Sequence, residues 1–268
     1  MLGHFTRPIA RPAFFFACLG IMASCTPMPV VSPVATASIG LDYASTSLGF
    51  RNSGALGVGR LMLWDQETGE LVDLDSAIPL QVASTSTPAN LAATNVSGIT
   101  VSANVQLASA DLAEIGTSVS RDLTIEAKDA VRDTTINELT ALSDAYRRHF
   151  DASEDVFRTW RVADAAGNPG RYKYVLLVDP VRASSETVQF SSTTSASANV
   201  TIVDTVQGKL SVKVPNNASA SCSQVNRERA LCFVNAKVLQ VYLNASGRLD
   251  YQPVAYSRAA LAEAFRKQ

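Results

Sequence analysis

The chain contains few of the side chains that metal sites and acid–base enzymes most often use. Its 268 residues include two histidines and four cysteines, and beyond His4 the sole histidine is His149. A protein zinc site draws its ligands mainly from histidine and cysteine, with fewer from carboxylates. We interpret His149, in the segment YRRHF, as a solvated or half-packed residue of a helix, and we expect no metal and no cofactor.

The chain also lacks a long hydrophobic run near its start and an excess of positive charge. The N-terminal apolar run, Ala13–Ala23, has eleven uncharged residues, whereas a transmembrane helix needs about 20. Lysine and arginine number 23, aspartate and glutamate 24, and the net charge is −1. Such a balance provides no basic surface for nucleic acid, so we expect no nucleic-acid partner.

The first residues have the layout of an export signal. Arg7 and Arg11 precede the short apolar run, and small residues end it, which is typical of a secretory signal. The final segment, Met22-Ala23-Ser24-Cys25, resembles the lipobox of bacterial lipoprotein precursors, in which an aliphatic residue and two small residues precede the lipid-modified cysteine. Cys18 fits this pattern less well, because bulky phenylalanines precede it.

The resemblance covers about 25 residues at the start of the chain and implies a lipid-anchored envelope protein. It implies a signal peptide over residues 1–24, removed on export, and palmitate-containing diacylglycerol on Cys25. The membrane is then one partner, through this lipid. An ordinary cleaved signal peptide and an uncleaved anchor are the alternatives. In a Gram-negative cell, the resemblance further implies that Thr26, in place of an aspartate, favours the outer membrane over the inner one, with the protein facing the periplasm.

The two remaining cysteines are Cys222 and Cys232, ten positions apart. Because export would place both in an oxidising compartment, we expect them to form a disulfide. A two-cysteine metal site and a pair of free thiols are the alternatives at this stage.

Beyond Cys25 the sequence divides into a tether and one large domain. Residues 25–37 contain three prolines and no charge, which is typical of an extended linker. Residues 38–268 are expected to form a single β-rich extracytoplasmic domain. Without residues 1–24 the chain has 21 basic and 24 acidic residues, a net charge of −3.

Several segments have the pattern of strands joined by tight turns. GRLMLWD and ELVDLDSAIPLQV flank the turn QETG, where Gly69 supplies a permissive position. RYKYVLLVDPV is strongly apolar and is predicted to be a central strand. ALCFVNAKVLQVYLN and RLDYQPV flank ASG and predict a second hairpin, and GKLSVKV predicts another strand with Gly208 at its turn.

The segment from about 110 to 157 has a different pattern. It contains no proline, and Val119, Leu123, Ala127, Val131 and Thr135 recur at every fourth position. This spacing predicts one amphipathic helix or two in series. The alternative is that DLTIEAKDAV opens as a strand, so the start of the helix is left open. SRAALAEAFRKQ predicts a short C-terminal helix with Ser257 as its N-cap. The predicted fold class is therefore α+β, mainly antiparallel sheet with a long central helical segment and a short C-terminal helix.

Two sequence motifs resemble catalytic or nucleotide-binding motifs, but structural roles explain them better. The acidic residues Asp65, Glu67, Glu70, Asp73 and Asp75 surround the first hairpin, where charges usually form a solvated edge. The loop GALGVGR has its glycines in the wrong order for a nucleotide fingerprint, and we interpret it as a turn or bulge. We therefore predict that the protein is not an enzyme and has no catalytic residues.

These observations favour a non-catalytic binding or scaffold module whose partner is another envelope protein or a second copy of itself. The Ser/Thr-rich stretches STSTPANLAATNVSGITVSANV and SSTTSASANVTIV support an alternative, a subunit of an oligomeric pore or secretion channel. An envelope hydrolase that uses the carboxylates near Asp65 is the third hypothesis.

Overall fold

Antiparallel strands are the largest component of the fold in the computed structural model, and helices pack on them. The structure describes residues 36–84, 86–104, 109–152, 154–190, 200–205, 208–213, 222 and 228–268. The strands are β1 Thr36–Gly40, β2 Ser45–Thr46, β3 Gly49–Arg51, β4 Arg60–Asp65, β5 Glu70–Ala77, β6 Gln81–Ser84, β7 Ala89–Ala93, β8 Thr100–Ala103, β9 Leu123–Ile136, β10 Tyr172–Ala183, β11 Ser185–Phe190, β12 Val200–Thr205, β13 Gly208–Lys213, β14 Ala230–Leu243 and β15 Leu249–Pro253. The helices are α1 Ser109–Asp122, α2 Glu138–Asp151, α3 Val156–Thr159, α4 Val162–Gly167 and α5 Arg258–Lys267.

One arm of the main sheet runs in the order β5-β4-β10-β14-β15, with all neighbours antiparallel. Side chains alternate between its faces, as the strand period of two requires. Leu61 and Leu63 face a core formed with α2, α3 and α4, whereas Met62 and Trp64 face a core formed with α5. This arm is therefore covered by helices on both faces.

The long strands β10 and β14 continue into a second arm. There β9 pairs with β10 and then, without a shift in register, with β11. Strand β14 pairs with β3, and β3 pairs with β2. On its other side β9 pairs with β6 and β7. A small separate sheet runs β12-β13-β1-β8, and its strand β1 shares a third core with α1 and β9.

A β-bulge separates the two arms within β10. The register with β14 shifts between Val178 and Val181, and Asp179, just before Pro180, has a positive φ of 47°. The Asp179 carboxylate accepts the backbone N–H of Thr135 at 2.8 Å. The Thr135 hydroxyl lies 2.9 Å from Glu138 Oε1, which pairs with Lys237 at 3.1 Å. The end of β9 thus holds the bulge in place.

A buried ion pair joins two strands of the second arm. Arg51, at the end of β3, donates to Glu186 of β11 through Nε at 2.7 Å and also through Nη2. Their side chains are 1% and 0% exposed. Burial raises the pKa of Glu186, and the Arg51 charge opposes that rise. Removing one partner of such a pair costs about 3–5 kcal/mol, so this contact ties β3 firmly to β11.

The prediction of a long helical segment over about 110–157 is wrong in its centre. Residues Leu123–Ile136 form the strand β9 between α1 and α2. A spacing of four residues satisfies both a period of 3.6 and a period of two, so it did not distinguish helix from strand. Thr124, Ile125 and Val131 are β-branched and favour the strand.

Several predictions from local patterns are confirmed. The structure contains mixed helix and antiparallel sheet, with β10 as a central strand. Both predicted hairpins are present, with Gly69 and Gly247 at positive φ in their turns. Ser257 caps the short C-terminal helix α5 by accepting the N–H of Ala260 at 3.2 Å.

The predicted segments at the start of the chain fall mostly outside the described residues. This applies to the signal peptide, to Cys25 and to most of the tether. Strand β1 begins at Thr36, so the last two residues assigned to the tether belong to a strand. Among the helices of the described residues, none is both long and apolar enough to cross a membrane.

The structure places the two predicted disulfide partners together. Cys222 and Cys232 lie at disulfide distance, with their Cα atoms 4.9 Å apart. Both side chains are buried in the core that β1, α1 and β9 share. A bond here would fix the start of β14 to the chain that precedes it.

We predict that these two thiols are oxidised in the exported protein. Because burial alone protects a thiol from labelling, the test treats the unfolded, unreduced chain with N-ethylmaleimide and counts the labelled cysteines. We expect two additional labels after reduction, at Cys222 and Cys232, and no label on either before it. Replacing both cysteines with serine should lower the free energy of unfolding by roughly 2–3 kcal/mol. Labelling of both residues without reductant would contradict the disulfide.

Candidate functional site

The acidic residues around the first hairpin are engaged in structural contacts. Asp65 ends β4 and accepts the backbone N–H groups of Glu67 and Thr68 at 3.0 and 3.4 Å. Arg171 donates to both carboxylate oxygens of Asp65, and its Nη1 lies 2.6 Å from Glu67. These hydrogen bonds, above all that from Arg171, hold the pKa of Asp65 below its usual value.

Two further members of the acidic group, Asp73 and Glu70, do not share the Arg171 contacts of Asp65 in the described structure. Asp73 pairs with Arg60 across the hairpin, Glu70 is exposed, and the side chain of Asp75 is not described. Arg171 and Arg60 therefore divide the group into separate ion pairs. This arrangement favours a structural role for the carboxylates over the pair of cooperating acids that a glycoside hydrolase needs.

The other predicted motifs also have structural positions. His149 lies in α2, where its ring contacts the Glu154 carboxylate and packs 5.9 Å from the Trp160 ring. Gly59 of the glycine-rich loop has a φ of 82°, and a Cβ atom there would lie 2.2 Å from the Ile78 carbonyl oxygen. The loop therefore serves the close approach of β4 to the end of β5.

The Ser/Thr-rich stretches are described only in part. In the first, residues 89–93 form β7 on the main sheet and residues 100–103 form β8 on the small sheet. In the second, residues 191–199 are outside the described part of the chain, and residues 200–203 belong to β12. The described strands of the two stretches thus belong to two different sheets of the fold.

The candidate site is a groove of about 670 Å³ between α1 and the loop from β7 to β8, which we call the α1 groove. Ile115 and Val119 of α1 face the core, and the adjacent side of the helix forms one wall of the groove. That side contributes mainly small or uncharged residues: Leu112, Ala113, Gly116, Thr117 and Ser120. The opposite wall consists of Asn95–Ile99 and Val101.

The loop wall of the α1 groove is held from two directions. Ser97 exchanges two backbone hydrogen bonds with Ser45 of β2, at 2.8 and 2.9 Å. Arg266 of α5 donates to the Gly98 carbonyl oxygen at 2.6 Å. Gly98 has a φ of 66°, and a Cβ atom there would lie 2.8 Å from Ala262. The wall is therefore formed before any partner binds, which lowers the entropy cost of binding.

The chemistry of the α1 groove suits a neutral ligand surface. Among the described residues that line it, Arg121 is the one charged residue, at the C-terminal end of α1. The small side chains of α1 allow the backbone of a bound segment to approach closely, and the hydroxyl groups at the rim offer hydrogen bonds. Sequence reasoning missed this groove, because α1 and the loop are brought together only by the fold.

No group of three or more potential metal-binding side chains is arranged for a metal ion within the described residues. No family model matches the chain, and no curated protein matches it significantly. The geometry of the α1 groove and of the hairpin contacts therefore carries the functional interpretation.

We predict that Asp65 stabilises the fold. Asp65→Asn should lower the free energy of unfolding at pH 7 by about 1–2 kcal/mol, because it weakens a charge-assisted contact. Since the folded-state pKa is depressed, this contribution is present above about pH 4 and is lost as pH falls through the folded pKa. Urea unfolding at pH 7, 5 and 3 measures the difference.

The matched control is Glu70→Gln, an exposed residue on the same hairpin, which should change stability by less than about 0.5 kcal/mol. Equal stability of Asp65→Asn and the wild type at pH 7 would contradict the structural role.

Proposed function

We propose that the protein is a lipid-anchored lipoprotein of the bacterial cell envelope that acts as a non-catalytic binding or scaffold module. The lipobox-like segment ending at Cys25 supports the anchor and an outer-membrane location facing the periplasm. The α1 groove is the observation that carries the binding role, because it is open, preformed and lined mainly by uncharged residues. Its proposed occupant is an uncharged segment of another envelope protein.

The engagement of the hairpin carboxylates supports the same proposal. Asp65 and Glu67 share Arg171, and Asp73 pairs with Arg60. The hydrogen bonds from Arg171 hold the pKa of Asp65 below its usual value, so Asp65 is a poor general acid. The engagement of Asp65, Glu67 and Asp73 in these ion pairs makes the hydrolase hypothesis the weaker proposal.

The lipid anchor gives the first test. Cys25→Ala should abolish metabolic labelling with radioactive palmitate, because the thiol is the proposed site of diacylglycerol attachment. Cys18→Ala serves as the matched control and should leave the label unchanged. Label that persists in Cys25→Ala, or that is lost in Cys18→Ala, would contradict the assignment of Cys25.

The binding role is tested by photo-crosslinking in intact cells. A photoreactive p-benzoylphenylalanine at Thr117, an exposed residue on the rim of the α1 groove, should give one discrete adduct with another protein. The same probe at Ser246, at the exposed β14–β15 turn, should give none. Ala113→Arg, which places a long cation in the groove, should suppress the Thr117 adduct by blocking the uncharged segment.

Three results would contradict the proposal. These are the absence of an adduct at Thr117, equal adducts at Thr117 and Ser246, and an adduct that Ala113→Arg leaves unchanged. A ladder of adducts between copies of this chain would also contradict it and would favour the pore or channel subunit. Size analysis after detergent extraction then separates a ring from a small oligomer.

A further inference from the structure

A second groove, which we call the arginine groove, lies on the face of the second arm opposite its core. The register of the strands places its lining residues side by side. Ser84 pairs with Asp133 between β6 and β9, and Val131 pairs with Arg182 between β9 and β10. Directly paired residues of antiparallel strands project to the same face. With Val82 and Arg229 they enclose about 450 Å³.

Two aspartates orient the two arginines of this groove. The Asp133 carboxylate, whose side chain is 5% exposed, pairs with Nη1 of Arg182. Asp129 accepts from Arg229, through Nη2 at 3.0 Å and through Nε. Asp129 is itself held by the Ser184 hydroxyl at 2.7 Å. Both guanidinium groups are therefore fixed before a ligand arrives.

Donor groups remain in the groove after these pairings. Within the described residues, Nε and Nη2 of Arg182 and Nη1 of Arg229 have no protein acceptor. Ser84, which also lines the groove, adds a hydroxyl group. The Nε and Nη2 edge of an arginine matches the two oxygens of a carboxylate. The groove thus combines guanidinium donors that the two aspartates hold in place with one hydroxyl group that can rotate toward a ligand.

We propose that the arginine groove binds the carboxylate of a small ligand with a short aliphatic body, such as the C-terminal residue of a peptide. Arg182 and Arg229 donate to the carboxylate oxygens, and Ser84 donates a further hydrogen bond. Val82 and Val131 provide the apolar walls for the aliphatic body. Val82 is 41% exposed in the described structure, and such a ligand would cover it.

The charge balance of the groove favours a singly charged carboxylate over a phosphate dianion. Each arginine already has an aspartate partner, so the two ion pairs together carry no net charge. A phosphate dianion carries twice the charge of a carboxylate and is therefore repelled more strongly by Asp129 and Asp133. A planar carboxylate also needs fewer donors than a tetrahedral phosphate.

The described lining residues of the arginine groove and of the α1 groove are all different. Its ligand is a small molecule or a chain end, whereas the α1 groove is assigned to an uncharged protein segment. A negative result for one groove therefore does not affect the proposal for the other groove.

Photo-labelling of the full chain in detergent tests the proposal. The probe is N-acetyl photo-leucine, an aliphatic diazirine amino acid with a free carboxylate, and its amide is the uncharged control. Mass spectrometry should find saturable labelling of peptides that contain residues 81–84 or 131–133. The amide should label roughly tenfold less, since it cannot form charge-assisted bonds to the arginines. N-acetylvaline should compete better than inorganic phosphate.

Variants of Arg182 test whether binding requires the two-donor edge of its guanidinium group. Arg182→Lys keeps the charge, removes the two-donor edge and should reduce labelling roughly tenfold. Arg182→Gln with Asp133→Asn removes the pair together, so that no buried carboxylate is left unpaired, and should reduce labelling equally. Arg148→Gln, an exposed arginine of α2, should leave it unchanged. Equal labelling by the amide, stronger competition by phosphate, or wild-type labelling of both Arg182 variants would overturn the proposal.

Discussion

The pairing of β10 with β14 is the constraint on which the other parts of the fold depend. These two strands run through both arms of the main sheet, and all three cores include residues from them. Two strands of this length would accumulate twist, and the bulge at Asp179 redirects β10 between the arms. The bulge requires a non-glycine residue at positive φ, which is unfavourable unless neighbouring groups hold it. Thr135 supplies the holding contacts, so the end of β9 decides where one arm stops and the other begins.

What the sequence predicts correctly is local. Hairpins with a glycine in the turn, the cap of α5 at Ser257 and the apolar strand β10 each depend on a few neighbouring residues. The central strand β9 was mispredicted because its inward residues, Leu123 and Ala127, satisfy a helical spacing as well. Its identity is decided by β11, β7, β10 and β6, which pair with it from distant parts of the chain. A pattern within one segment contains no information on such partners.

The same reason explains why neither groove was predicted. The α1 groove requires a helix and a loop whose contact is set by β2 and α5, and the arginine groove requires the register of three strands. The sequence does contain one local signal, the Asp-Pro step within the apolar strand of YKYVLLVDPVRA. Proline in a central strand is unfavourable, so this step marks an irregularity, but it does not show that Arg182 would face Asp133.

Arginine has two uses in this fold. Some arginines join distant elements of the structure, and Arg182 is placed to bind a ligand. Arg51 is buried against Glu186, and Arg266 is bonded to the Gly98 carbonyl oxygen, so each closes a joint between distant elements. Arg182 also has an aspartate partner, but its side chain is 41% exposed and lines the arginine groove. Its Nε and Nη2 groups have no acceptor within the described residues. An arginine that is both oriented by the fold and open to a ligand has the arrangement that recognition of a carboxylate requires.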